Sequence, residues 1–164
     1  MRILILAPNR VGSVNLESVL ATSLDAPILA GKYFKIIDNI NKNNLDNGKE
    51  LVKDYFNQFS ENKNILFKLH PHAHFGDGYS INEHLDYIEW IVDYLKIDKV
   101  LGLLRKNVFD TSLSLTNALE RAKTEPYTSV WNTKYSPIKK NPTTWSLSQV
   151  FNDSLIITKL SNER

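Results

Sequence analysis

At 164 residues, 42% hydrophobic and 23% charged, the chain has the length of one ordinary domain and enough apolar side chains for a real core. Its 20 Lys and Arg against 18 Asp and Glu leave a net charge of +2 spread along the sequence, which argues against a nucleic-acid binder built on a strong basic field. Cysteine is absent, so disulfides, thiolate metal sites and cysteine nucleophiles are excluded, and no apolar run reaches the length of a signal-peptide core or a membrane span.

These bounds lead to the expectation of a single soluble, cytoplasmic domain over residues 1–164, with no nucleic-acid or membrane partner. The chain opens with an apolar run, Ile3 to Ala7, then Pro8-Asn9-Arg10-Val11-Gly12-Ser13, then Leu16, Val19, Leu20 and Leu24 at helical spacing. That order predicts strand, tight loop and helix, and a helix N-terminus of this kind attracts anions through its unpaired amides and dipole. Ala30 to Ile40 reads as a short helix and Asn39 to Lys49, dense in Asn and Lys, as a surface loop. Leu51, Val52, Tyr55, Phe56 and Phe59 recur at helical spacing. Asn64 to His70 predicts a second strand stopped by Pro71, and Gly76-Asp77-Gly78 a turn.

Ser80-x-x-Glu83 is a capping-box pattern, so a helix starts there, with Ile81, Leu85, Ile88, Val92 and Leu95 as its buried stripe. Lys99 to Leu104 predicts a third strand. Asn107 and Asp110 open a further helix carrying Val108, Ser112, Leu115 and Leu119 on one face. Residues 122–150 read as a long loop and a candidate lid, with aromatic side chains at Tyr127, Trp131, Tyr135 and Trp145. Ser154 to Thr158 predicts a last strand. Strand and helix alternate, so the expected fold is an α/β three-layer sandwich with a mostly parallel sheet of about four strands.

In such a sheet ligands bind beyond the carboxyl ends of the strands, where Arg10 and Ser13, Lys68 and His70, and Arg105 all fall. Gly12 stands without the second glycine and the lysine of a triphosphatase loop, and no G-x-G-x-x-G occurs. The plain alternative is an ordinary turn with Ser13 as helix cap. Lys68 and His70 alternate onto one strand face, giving a cation and a candidate general base, or simply a surface lysine and a hydrogen-bonded histidine. His70, His72 and His74 share the spacing of a metal site, but Pro71 interrupts the strand and Asp77 is the first carboxylate after them, so no metal is expected. Arg105 and Ser114 would bring a guanidinium and a hydroxyl to one phosphate, or remain an exposed arginine and a helix serine.

Taken in order, these three pieces resemble the sulfotransferase family, which moves a sulfuryl group from 3′-phosphoadenosine 5′-phosphosulfate (PAPS) to an acceptor. Members carry a loop of the R-S-G-S-T or K-S-G-T-T type, where this chain has Arg10-Val11-Gly12-Ser13-Val14. Many have K-x-H after the second strand, here Lys68-Leu69-His70, and an apolar strand ending in arginine with a serine eight or nine residues on, here Arg105 and Ser114. The resemblance implies a P-loop-like fold and in-line transfer without a metal, with 3′,5′-adenosine bisphosphate (PAP) as product and a small molecule or glycan as acceptor. It implies that Arg10, Val11, Gly12, Ser13 and Val14 hold the 5′-phosphosulfate and that Arg10 and Lys68 offset charge on the transferring group. His70 would take the acceptor proton, Arg105 and Ser114 would clasp the 3′-phosphate with help from Lys106, and Trp131 would stack on or pack beneath adenine.

Three departures stand beside the likeness: Val14 replaces a usual threonine, the chain is short for the family, and no glycine-rich basic segment occurs near the C-terminus. They leave open a non-catalytic binding or structural module on the same fold. A P-loop-like kinase and a metal-dependent hydrolase using the three histidines are the remaining alternatives.

Overall fold

The structure, a computed structural model, describes residues 1–26, 45–71, 80–124 and 139–163. Its centre is β1 (Arg2–Leu6), flanked by β2 (Ile65–Leu69) and β3 (Lys99–Gly102) in the order β2-β1-β3. Both pairings are parallel, with Leu4 opposite Phe67 on one side and Val100 on the other. Ile3 to Ala7 are all buried, as a central strand covered on both faces requires.

Side chains alternate across the sheet and so divide the core in two. Leu4, Leu6, Ile65, Phe67 and Leu69 pack with residues of α2 (Leu45–Asn57), α3 (Ile81–Tyr94) and α5 (Thr144–Glu163). Ile3, Ile5, Ala7 and Leu66 pack on the other face with Leu16, Leu20 and Leu24 of α1 (Ser13–Leu24). The described residues therefore form an α/β/α arrangement around three parallel strands, while α4 (Val108–Arg121) packs against α5. The Ser80 box is formed: its hydroxyl accepts from the Glu83 amide and the Glu83 carboxylate accepts from the Ser80 amide. Asn107 likewise caps α4, accepting from the Asp110 amide.

The strand expected at Ser154 to Thr158 is instead part of α5, so the described sheet has three strands rather than four. Leu155-Ile156-Ile157 is too short a run to distinguish strand from helix. The wider spacing settles it, since Val150, Asp153, Ile156, Ile157 and Leu160 are buried together on one helical face. That face lies against β3 at Gly102, where a Cβ would meet Ile157 Cγ2 at 2.7 Å and Ser161 Oγ at 3.1 Å. Glycine there is a packing requirement.

The expected loop at 122–150 also ends early, because Thr144 to Val150 forms the first turns of α5. Its approach is tied to α4: the Lys139 amide donates to Asn117 Oδ1 at 2.7 Å, and the Thr143 amide to Thr116 Oγ1 at 3.1 Å. Leu45 to Lys49, expected in a loop, is helical. The predicted helix at Ala30 to Ile40, the turn at Gly76 to Gly78, Tyr127 and Tyr135 lie outside the described residues. Two stripes are rotated from expectation. Val19 is 63% exposed while Ser13 and Glu17 are buried on α1, and His84, Tyr87 and Ile91 join Ile88 and Val92 inside α3.

Candidate functional site

Beyond Leu6 the ladder continues by two bonds, Ala7 N–H to Leu69 O at 3.1 Å and Leu103 N–H to Leu6 O at 2.8 Å. These hold the carboxyl ends of all three strands together, so the segments that follow them emerge on one edge. The backbone turns left-handed at Arg10 (φ 69°) and again at Gly12 (φ 87°), the N-cap of α1. Nothing lies within 4 Å of a Cβ built on Gly12, so glycine is favoured there by its dihedral and not by space. Arg10 lacks that freedom, and holding it there costs on the order of 1 kcal/mol.

Gly12 offers no side-chain cap and the first turn of α1 carries no acidic residue. The Asn15 amide turns back to the Gly12 carbonyl at 3.2 Å, so the amides of Ser13 and Val14 and the positive end of the dipole are what this first turn offers an anion. Ser13 is the first helical residue, not the cap, and is buried. Val11 is half-buried, Gly12 is exposed, and Val14 is 57% exposed.

Arg10 does not stay with its own loop. Its Nε donates to Ser114 Oγ at 3.1 Å, two turns into α4. Burial first, and then the neighbouring Arg105 charge, pull its pKa below the usual arginine value. The guanidinium remains charged at neutral pH, since no ordinary environment deprotonates arginine. The resemblance implies Arg105 and Ser114 as one pair and Arg10 as part of another. The structure brings Arg10 and Ser114 into contact, with Arg105 close enough to repel. Arg105 and Lys106 are exposed.

Lys68 and His70 lie beyond Leu66 on the α1 face of the sheet, and both are buried, 6% and 8% exposed. His70 Nδ1 meets the Ala7 carbonyl oxygen at 2.6 Å. A carbonyl can only accept, so Nδ1 carries the proton and donates, which leaves Nε2 as the basic nitrogen of the neutral ring. Burial lowers the His70 pKa to about 4, the Lys68 charge adds to this, and the Ala7 bond opposes it only in part. His70 is neutral at pH 7.

Lys68 has a partner that sequence reasoning missed. Its ammonium forms a buried ion pair with Glu17 of α1, itself only 5% exposed. The available signal was that Glu17 is the one carboxylate in α1 and follows Ser13 by four residues, which puts both on one face. A carboxylate in that face implies a cation opposite it.

Trp131, His72, His74 and Asp77 lie outside the described residues. Among the described residues no three His, Asp or Glu side chains cluster as metal ligands, and no helix is long and apolar enough to cross a membrane. A groove of about 450 Å³ opens at the opposite edge, between Arg2, Phe56, Ser60, Lys63, Tyr94 and Asp98.

No family model matches the chain, and no curated protein matches it. Among solved structures, the crystal structure of YorR protein in complex with phosphorylated GDP, from Bacillus subtilis, aligns over 99% of this chain and 80% of that chain. The TM-score is 0.49 and the identity 15%, a level at which the likeness carries no argument about fold or function.

Proposed function

We propose that this protein is a sulfotransferase-like, P-loop-like domain that binds PAPS and moves its sulfuryl group to an acceptor hydroxyl or amine of a small molecule or glycan. What supports the reading most is one contact, Arg10 Nε to Ser114 Oγ, which links the loop after β1 to α4 beside Arg105 on the edge that also carries neutral His70. Two anion-binding groups on one edge suit a ligand with two anionic ends. The first amides of α1 would take one end, and Arg10, Arg105 and Ser114 the other, with a guanidinium fork fitting phosphate geometry.

When bound, PAPS supplies an activated sulfuryl group whose bond to the phosphate oxygen breaks as the acceptor oxygen or nitrogen bonds to sulfur. The chain's own part is positioning and proton transfer. His70, held through Nδ1 by Ala7, presents Nε2 as the nitrogen that takes the acceptor proton. Its low pKa keeps that nitrogen unprotonated across the neutral range. The cationic edge offsets the charge that builds on the departing bisphosphate, as preorganised cations do in other group transfers.

One observation favours a second reading, a non-catalytic binding module: Lys68 is already neutralised by Glu17. A thermal-shift titration separates the outcomes, because a ligand that binds only the folded state raises Tm. PAP is expected to stabilise the protein without magnesium and more than 5′-AMP or ATP. Stabilisation by ATP alone, and only with magnesium, would replace this reading with a kinase. Transfer from PAPS to a panel of phenols, alcohols and sugars then distinguishes enzyme from binding module. His70→Ala is expected to lower transfer by about 10²- to 10⁴-fold with PAP affinity nearly unchanged, and full turnover in that variant would remove His70 as the base.

A further inference from the structure

Glu17 and Lys68 form an ion pair that apolar packing does not need. Both are more than nine-tenths buried, and Glu17 uses only one oxygen on Lys68. Its Oε1 is buried with no hydrogen-bond partner among the described residues. Burying two charges costs desolvation that is regained only when the remaining lone pairs are satisfied, and replacing such pairs with apolar side chains is often neutral or stabilising. Stability alone is therefore a poor account of this pair.

Its position supplies a better one. Glu17 is four residues after Ser13, about 6 Å along the axis from the start of α1, and on the same buried face. Lys68 is close enough to His70 to depress its protonation, and His70 is bonded to Ala7 at the root of the loop. The ammonium thus sits at Glu17, one turn into α1, and within electrostatic reach of His70. An uncompensated cation one turn from the helix start would attract an anion bound there, whereas one paired to a carboxylate contributes little.

We propose that Glu17 is a positioning residue that holds the Lys68 ammonium one turn into α1 and so sets how much of that charge reaches an anion bound at the N-terminus of α1. The inference rests on the reading of the carboxyl edge as an anion site. Glu17 carries a net negative charge behind an otherwise cationic edge, and its effect on a ligand passes through Lys68.

Isothermal titration of PAP, and separately of inorganic sulfate, into wild type, Glu17→Gln and Glu17→Gln/Lys68→Met tests this. Glutamine keeps the shape and one hydrogen-bond acceptor for Lys68 but removes the charge. Glu17→Gln is expected to bind PAP about tenfold more tightly, with an affinity that falls more steeply with added salt. In the double variant, whose pair is neutral as in wild type, affinity is expected to return to within about twofold of the wild-type value.

A merely structural pair would lower Tm and weaken or leave unchanged the affinity in Glu17→Gln. That result overturns the positioning role while leaving the anion site standing. Tighter binding that persists in the double variant also overturns it, since Glu17 would then act by its own charge. If wild type and both variants, folded by circular dichroism, bind neither PAP nor sulfate, the anion-site reading fails and the role of Glu17 with it. The double variant carries no unpaired buried charge, so it keeps the test usable if Glu17→Gln proves unstable.

Discussion

The two edges of the same three-stranded sheet both carry arginine, yet they use it in opposite ways. At the amino edge, the Arg2 guanidinium donates to the carbonyls of Leu95 at 2.8 Å, Ser60 at 3.0 Å and Asn62 at 3.4 Å, while Asp98 accepts from the Arg2 amide at 2.7 Å. That arginine closes the turns that lead into β2 and β3. At the carboxyl edge, Arg10 reaches a serine hydroxyl and lies beside a second arginine. A groove of about 450 Å³ lies at the amino edge, away from the candidate site. On the proposed reading, two arginines beside a hydroxyl and a helix end suit an anion, whose charge would offset theirs.

The comparison can be tested from its largest expected effect downward. His70, on the carboxyl edge, is pulled from its ordinary 6.5 to about 4. The unfolded chain then takes up the proton first, so stability is full above pH 6.5 and is lost as pH falls toward 4. The loss is about 3 kcal/mol on the linkage relation. Urea unfolding of wild type and His70→Asn between pH 4 and 7 should show the variant losing less, and equal losses would mean His70 is not the buried group responsible.

Arg2→Met should cost about 2 kcal/mol in stability by removing donors from the part-buried Leu95 carbonyl and the exposed Ser60 and Asn62 carbonyls. PAP affinity should stay the same. A change in affinity without loss of stability would break the contrast from the amino side. Arg105→Ala should do the reverse, weakening PAP about tenfold, or about 1.4 kcal/mol, with Tm nearly constant. A variant that melts early and binds normally would make Arg105 a structural residue like Arg2.

Much of the frame was legible because local rules acted alone. The apolar run at Ile3 to Ala7, stopped by Pro8, reads as a covered strand, Ser80 and Glu83 cap a helix wherever it packs, and K-x-H alternates onto one face of any strand. Leu155 to Ile157 misled because three apolar residues fit either period. The burial of Val150, Asp153 and Leu160 on the same helical face, and the packing of that face against Gly102, show which one the fold uses. Val19 misled for a related reason: the buried face of α1 is turned toward Lys68, and helical spacing alone does not reveal a polar partner across the sheet.

The sequence by itself determined the strands β1 to β3 with helices between them, their parallel direction, and the collection of Arg10, Ser13, Lys68, His70 and Arg105 on one edge, since strand direction and side-chain alternation are properties of the chain. Tertiary structure alone decided which of these side chains meet. Arg10 crosses to Ser114, 104 positions away, and Lys68 to Glu17, 51 positions away. Such pairings depend on where α1 and α4 come to rest against the sheet, and that is set by packing over the whole core.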